Sequence, residues 1–245
     1  ETYKANHPDS YLDTRDIRQV KAKEILEITG LKEGEIDIFD GSPPCASFST
    51  AGKREEGWGQ VKKYSDTEQR VDDLFFEYAR LLKELQPKVF IAENVSGLVK
   101  GTAKGYFKII MQELKSCGYR VKASVLNAKW LGVPQSRERL IFIGVRKDIG
   151  IDPVFPKPFR YFYTLKDAIG DLNIKPESET KLTPKTLEIV KKLKPGQSGS
   201  DILGKNKYFS LRRLEWDKPA GTVQQSEAKM ASTNQIHPDE NRKLG

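Results

Sequence analysis

Short apolar runs alternate with amphipathic stretches along the first 150 residues of the chain. The apolar runs at residues 36–39 and 89–92 have the lengths of strands, and residues 120–126 and 140–145 are also strand-like. Between them, residues 74–85 and 106–114 repeat apolar side chains at helical spacing, which predicts two helices. This alternation predicts an α/β fold with a doubly wound, mainly parallel sheet.

Residues 151–207 depart from that alternation. They open with DPVFPKPFRYFYTL and contain one predicted helix, with Thr183 as N-cap, Pro184 in the first position and Pro195-Gly196 after its end. We therefore divide the chain into a main domain over 1–150, a small inserted domain over 151–207 and a return to the main domain over 208–245. The alternative is an ordinary insertion whose aromatic side chains pack on the core.

Composition argues against several classes of protein. The 245 residues, 37% of them hydrophobic, suffice for one large domain and a small one. The apolar runs fall far short of the roughly 20 residues of a membrane helix, and no signal-peptide pattern opens the chain, so we expect a soluble, intracellular protein. The two cysteines and two histidines lack metal-ligand spacing, which argues against a disulfide framework and against a metal site.

Basic side chains are concentrated after residue 100. Residues 100–150 carry 11 basic and 3 acidic side chains, and residues 151–207 carry 11 and 7, whereas residues 1–99 carry 14 and 19. Such an excess is expected of a surface that faces a polyanion, although a solvated lysine-rich surface would look the same.

A thiol and a carboxylate follow consecutive predicted strands. Cys45 lies in GSPPCASFS after the first strand, and Glu93 ends the second in KVFIAENVSG. The carboxyl ends of parallel strands share one edge of the sheet, where ligands bind, so we expect both groups in one pocket. A thiolate is a potent nucleophile, and a carboxyl group can protonate the electrophile that it attacks, such as an electron-poor heterocycle. The long aperiodic stretch after Cys45 carries two basic pairs, which favours a lid that closes on nucleic acid.

Three motifs resemble those of the cytosine-5 DNA methyltransferase family, in the same order and at similar spacing. GSPPCASFS resembles the Pro-Cys nucleophile motif, Glu93-Asn94-Val95 resembles the ENV motif, and QSRER at 135–139 resembles the QxRxR motif. The resemblance implies a Rossmann-like fold that uses S-adenosylmethionine, with residues 151–207 as the target recognition domain and the rest as the catalytic domain. It implies a DNA (cytosine-5)-methyltransferase, the modification enzyme of a bacterial restriction system, located in the bacterial cytoplasm.

The resemblance also implies roles for single residues. Cys45 would add to C6 of a cytosine flipped out of the duplex, and Glu93 would engage N3 and the exocyclic amine. Arg139 would hold the cytosine O2, and Arg137 would orient the thiol region or a nearby phosphate. Further residues of the three motifs would bind the substrate: Pro44, Ser49, Asn94, Val95 and Gln135.

The same resemblance implies S-adenosylmethionine as the cofactor. Its expected contacts are Asp16, Ile17, Ser42, Pro43 and Leu74. RRLEWDKPAGTV at 212–223 and HPDENRKL at 237–244 resemble the ninth motif and the stretch after it, but the first and tenth motifs are missing. We therefore expect a chain truncated at both ends. The expected partner is double-stranded DNA, without a membrane or a metal, and the protein is expected to be a monomer.

Two other functions stay open at this point. The transfer-RNA branch of the family also has a Pro-Pro-Cys form, so an RNA cytosine-5 methyltransferase is one alternative. The other is a catalytically silent relative that binds DNA or a partner enzyme, although the intact Cys45, Glu93 and Arg139 argue against it. Ala46 and Ala51 stand where many members have glutamine and serine, which implies different contacts with the nucleic acid.

Overall fold

The structure is a computed structural model that describes residues 2–43, 62–64, 67–69, 74–100, 103–172, 182–204, 208, 210–223 and 235–244, with the backbone alone at 62–64 and 67–69. The chain forms two compact units, Glu1–Val125 with Arg139–Phe155 and Leu126–Glu138 with Pro156–Gly245. The division of the sequence after residues 150 and 207 stays a prediction.

The first unit contains helices and strands in alternation. Its helices are Thr2–Asn6 (α1), Ala22–Thr29 (α2), Leu74–Leu85 (α3) and Lys104–Ser116 (α4). The strands over the same part of the chain are Ile38–Gly41 (β1), Lys62–Tyr64 (β2), Thr67–Gln69 (β3), Val89–Val95 (β4), Tyr119–Asn127 (β5) and Glu138–Arg146 (β6). Within the described ranges, none of the helices combines the length and the apolar character that crossing a bilayer requires.

A four-stranded sheet with the order β1-β4-β6-β5 organises this unit. β1 and β4 are parallel, from the pair Ile38 and Val89 to the pair Gly41 and Ala92. They form the predicted βαβ unit with α3, and the α/β fold class is confirmed. β6 runs antiparallel to β4. The connection between β5 and β6 spans only residues 128–137, which is too short for the crossover that a parallel pair needs.

One face of the sheet is buried under α3 and α4. The apolar side chains of α3 recur at helical spacing, and the buried ones include Phe75, Tyr78, Leu82 and Leu85. The Tyr78 hydroxyl shares its one hydrogen between the carbonyl oxygens of Phe39 at 3.3 Å and Ile91 at 3.1 Å, which ties α3 to both parallel strands. Burial raises the pKa of this phenol well above its usual value.

The second unit is built from short elements around its own core. These are Leu165–Ile169 (α5), Pro184–Val190 (α6), Gly199–Leu203 (α7), Arg212–Arg213 (β7) and Gln235–Ile236 (β8). The predicted start of α6 is confirmed, because the Thr183 hydroxyl accepts a hydrogen bond from the Thr186 amide. The core consists of Ile189, Val190, Leu193, Leu211 and Ile236.

A buried arginine, Arg213, joins distant segments of this unit. Its guanidinium donates to the carbonyl oxygens of Val190 and Leu193, both at 2.8 Å. It also donates to three carbonyl oxygens and one amide oxygen of the segment 237–241. We call this arrangement the Arg213 carbonyl cage. Burial lowers the pKa of Arg213 from its ordinary value, and the six acceptors stabilise the buried charge.

Candidate active site

Two predicted site segments leave the sheet side by side. Ser42 and Pro43 follow β1 directly, and Glu93 lies in β4 one residue after the last pair between the two strands, Gly41 with Ala92. Both strands are parallel, so their carboxyl ends share one edge, as the sequence predicted. Cys45, Pro44 and Ser49 lie outside the described residues.

Asn94 holds the backbone just before the predicted nucleophile. Its side chain is buried. The amide nitrogen Nδ2 donates to the Pro43 carbonyl oxygen at 3.3 Å, and Oδ1 accepts from the Val95 amide at 2.8 Å. Both ends of this side chain are therefore used within the protein, and the Nδ2 bond holds Pro43, two residues ahead of Cys45. A contact of Asn94 with substrate stays a prediction.

Glu93 and Arg139 form an ion pair at the same edge. Arg139 is paired with Val95 across β6 and β4, which places it diagonally opposite Glu93. The Arg139 Nε lies 2.5 Å from the Glu93 Oε1, and the side chains are 26% and 34% exposed. The pair is therefore accessible to a ligand. A guanidinium can only donate hydrogen bonds, whereas a carboxyl group can accept them or give up a proton, so the two offer complementary contacts to a polar ring.

The first part of the QxRxR motif belongs to the second unit. Gln135 pairs with Ala220 in an isolated bridge. The Asn127 Oδ1 accepts from the Arg137 amide at 3.2 Å, and the Asn127 Nδ2 donates to the Ser136 hydroxyl at 3.3 Å. Asn127 was not singled out from the sequence. Its signal is an asparagine between a strand and a short turn, where it also caps the 3-10 helix Ala128–Leu131.

The expected cofactor contacts Asp16 and Ile17 lie at a short 3-10 helix, Ile17–Gln19, that packs on α3. The Asp16 carboxylate caps this helix and accepts from the Arg18 amide at 3.0 Å. Ile17 packs against the cluster that contains Leu81 and Leu85. The third expected contact, Leu74, begins α3, about 10 Å along the helix axis from Leu81. The roles of these residues in cofactor binding stay predictions.

The second cysteine is a core residue. Cys117 is buried, and its Sγ lies 3.6 Å from the Ala79 carbonyl oxygen. Burial raises the pKa of this thiol, which disfavours the reactive thiolate. In the part of the chain that the structure describes, no cluster of three or more histidine, cysteine, aspartate or glutamate side chains is arranged to hold a metal ion.

Comparison with known sequences gives one consistent family. The model of the C-5 cytosine-specific DNA methylases matches residues 1–244. The type II methyltransferase M.NgoPII of Neisseria gonorrhoeae is 34% identical over 251 residues, which cover 97% of this chain and 64% of that protein. M.Eco47II of Escherichia coli is 35% identical over 265 residues, which cover 99% of this chain and 59% of that protein. The chain thus spans about six tenths of the length of these curated relatives.

Solved structures show the same fold. A prophage-encoded protein of E. coli, described as a DNA modification methyltransferase, superposes with a TM-score of 0.71 at 21% identity over 99% of this chain and 75% of that chain. The Entamoeba histolytica methyltransferase EhMeth superposes with a TM-score of 0.55 at 14% identity over 99% of this chain and 65% of that chain.

Proposed function

Because the chain belongs to the C-5 cytosine-specific DNA methylase family, we propose that the protein transfers a methyl group from S-adenosylmethionine to C5 of a cytosine in double-stranded DNA. The observation that carries the proposal is the accessible ion pair between Glu93 and Arg139 at 2.5 Å, at the edge where the chain leads from Pro43 toward Cys45. The type II names of the relatives favour the modification enzyme of a bacterial restriction system, acting in the cytoplasm.

The proposed reaction uses a thiol and an acid on one ring. The Cys45 thiolate adds to C6 and forms an S–C6 bond, and the displaced electron pair makes C5 nucleophilic. Glu93, which as the carboxylate of the ion pair first takes up a proton from solvent, gives that proton to N3. S-adenosylmethionine, when bound, supplies the methyl group that C5 takes up. Loss of the C5 proton to a base and departure of the thiolate from C6 then restore the ring and release Cys45.

The other residues of the edge position these groups. Arg139 holds the Glu93 carboxyl and the cytosine O2, and Asn94 fixes the Pro43 carbonyl so that Cys45 approaches from a defined direction. C6 is inaccessible within stacked DNA, so the cytosine is flipped into this site at a cost of a few kcal/mol. The insert at 151–207 is the proposed target recognition domain.

The described residues fit the adenosyl part of the cofactor in chemical type. Asp16 offers a carboxylate, a group that can accept hydrogen bonds from an amine. Ile17 and Leu74 offer apolar side chains for the adenine, and Ser42 and Pro43 lie at the sheet edge where such ligands bind.

A mechanism-based substrate tests this proposal. The full-length protein is incubated with S-adenosylmethionine and duplex DNA that contains 5-fluorocytosine, because fluorine at C5 prevents the final elimination. We expect a covalent adduct that survives denaturation. Cys45→Ser should abolish it, whereas Cys117→Ala, the matched control in the core, should retain it. An adduct in Cys45→Ser, or none in the wild type, would refute the mechanism. An adduct with transfer RNA instead of DNA would favour the RNA alternative, which the Pro-Pro-Cys doublet keeps open.

A further inference from the structure

Four aromatic side chains lie on the surface of the second unit within five residues. Phe159, Tyr161, Phe162 and Tyr163, which we call the aromatic strip, are between 37% and 55% exposed. Scattered exposed apolar residues are normal in proteins, but a contiguous group of large rings marks an interaction site. The core of this unit is formed by other residues, so the strip is not required to fill it.

The rings of the aromatic strip support one another. Phe159 and Tyr161 are stacked, with centroids 5.4 Å apart and planes inclined by 11°. Tyr163 meets Tyr161 edge-on at 5.6 Å, and Phe162 meets Trp130 edge-on, also at 5.6 Å. These contacts fix the ring orientations while part of every ring stays accessible to solvent.

The backbone of the aromatic strip is anchored at both ends. The Phe159 amide donates to the Trp130 carbonyl oxygen at 2.7 Å, and the Leu165 amide donates to the Lys218 carbonyl oxygen at 2.9 Å. Pro156 and Pro158 restrict the chain that leads into the strip. A ligand therefore meets a surface that is already ordered, which lowers the entropic cost of binding.

The surroundings of the aromatic strip are cationic. Residues 153–166 include Lys157, Arg160 and Lys166 but contain no acidic residue. The Lys129 Nζ lies 4.8 Å from the Trp130 ring centroid and 5.9 Å from that of Phe162. Asp167, the next acidic residue, is used to cap α5 through Thr164. A nucleic acid complements this surface, because its flat bases match the rings and its phosphates match the positive charges.

We propose that the aromatic strip binds the unpaired bases of a nucleic-acid strand by stacking, with Lys157 and Arg160 on its phosphates. Bases inside a duplex hide their faces in the stack, so the preferred ligand is a single-stranded segment. The strip lies within the proposed target recognition domain at 151–207, so this inference rests in part on the proposed function. It adds a second ligand, because no strip residue is among those expected to hold the reacting cytosine or the cofactor. A proline-rich peptide would use the rings but would leave the cations without a partner.

The binding test uses the full chain and a fluorescently labelled oligothymidylate of about six nucleotides, followed by fluorescence anisotropy. Stacking contributes about 1–3 kcal/mol per base, so Tyr161→Leu should weaken binding by about 5- to 140-fold. Tyr161→Phe keeps the ring and should bind within about twofold of wild type. Tyr11→Leu is the matched control, because Tyr11 is 67% exposed but belongs to the first unit.

A second pair of variants tests the phosphate contacts. Arg160→Gln should reduce the logarithmic salt slope by about 0.7, the value for one phosphate of a single strand. Lys185→Gln, on the exposed surface of α6, should leave that slope unchanged. An oligouridylate is expected to bind like the oligothymidylate, since stacking does not use the 2′-hydroxyl group.

Several results would overturn the proposal. One is equal affinity for an abasic strand of the same length, which would mean that phosphates alone are bound. Others are wild-type affinity in Tyr161→Leu and a preference of tenfold or more for RNA. Methylation of duplex DNA by the wild-type chain is measured in parallel. Strand binding without any methylation would therefore count against the proposed function and not against the strip.

Discussion

The Phe90 ring lies over Gly144 on β6, in space that a larger side chain would fill. Gly144→Ala therefore tests this packing directly. The two residues are paired across β4 and β6, and Phe90 is fully buried. A Cβ added at Gly144 would lie 1.9 Å from the Phe90 Cε1, whereas carbon atoms in contact are about 3.5–4.0 Å apart. The ring would have to shift by roughly 1.5–2 Å to restore that separation.

Neighbouring rings prevent this shift. Phe90 meets Tyr119 edge-on at 5.2 Å and Tyr78 edge-on at 6.3 Å, and both tyrosines are buried. Overpacking of a core costs about 1–3 kcal/mol, occasionally more, and the size of the overlap places Gly144→Ala at about 3 kcal/mol. Phe90→Leu removes the ring and so relieves the clash. The double variant should therefore lose about 1–3 kcal/mol less free energy of unfolding than the two single variants together.

Urea denaturation followed by circular dichroism measures these free energies of unfolding. Gly105→Ala is the matched control, because no atom lies within 4 Å of its added Cβ and the residue is inside α4. It should stabilise the protein by about 0.5–1 kcal/mol. A free energy of unfolding of Gly144→Ala within about 0.5 kcal/mol of wild type, or strictly additive effects with Phe90→Leu, would refute the packing described for β4 and β6.

Three further predictions concern the site and the second unit. Glu93→Gln keeps the shape of the side chain but loses the proton donor, so single-turnover methylation should slow by about 10²- to 10⁴-fold with little change in DNA affinity; a rate within a few-fold of wild type would contradict this. Asn94→Asp replaces the donor to the Pro43 carbonyl by an acceptor, and we expect a loss of about 2–3 kcal/mol in urea denaturation together with slower adduct formation. Unchanged adduct kinetics would show that Asn94 does not position the loop. Burial lowers the pKa of His237, whose Nδ1 accepts from the Asp239 and Glu240 amides. The imidazole therefore takes up a proton more readily in the unfolded state than in the folded one. The free energy of unfolding should fall as the pH drops below the ordinary histidine pKa of 6.5. His237→Asn, which keeps an acceptor, should lose that part of the pH dependence, and the exposed His7→Asn should not.

Periodicity carried most of the fold prediction. Helix α3 has the predicted bounds because its apolar repeat, LFFEYARLLKEL, coincides with the face that packs on the sheet. Strands β4, β5 and β6 were found but predicted one to three residues short at their ends, and β1 lies two residues later than predicted. Strand ends are set by pairing with neighbours that the local sequence does not reveal. The connection between β5 and β6 is too short for a parallel pair, which accounts for the antiparallel direction of β6. A hydrophobic pattern alone does not predict the direction of a strand.

The reactive groups of the candidate site could be predicted because sequence motifs mark them. The hydrogen bonds that hold these groups in place within the protein could not. The sequence brought Glu93 and Arg139 together through the family resemblance, and the structure shows the ion pair itself. The bonds of Asn94 to Pro43 and of Asn127 to Arg137 join segments that are 51 and 10 residues apart. Such bonds depend on which strand ends meet, so they become visible only once the topology is known.

The Arg213 carbonyl cage sets an order for the folding of the second unit. Its acceptors come from residues 190–193 and from residues 237–241, and a buried guanidinium without one of these groups would lose much of its compensation for leaving water. We therefore expect that, in a polypeptide growing on the ribosome, α6 reaches its final place only after residue 241 has emerged. We expect both segments to gain protection from hydrogen exchange at the same moment of refolding, and separate moments would contradict this order.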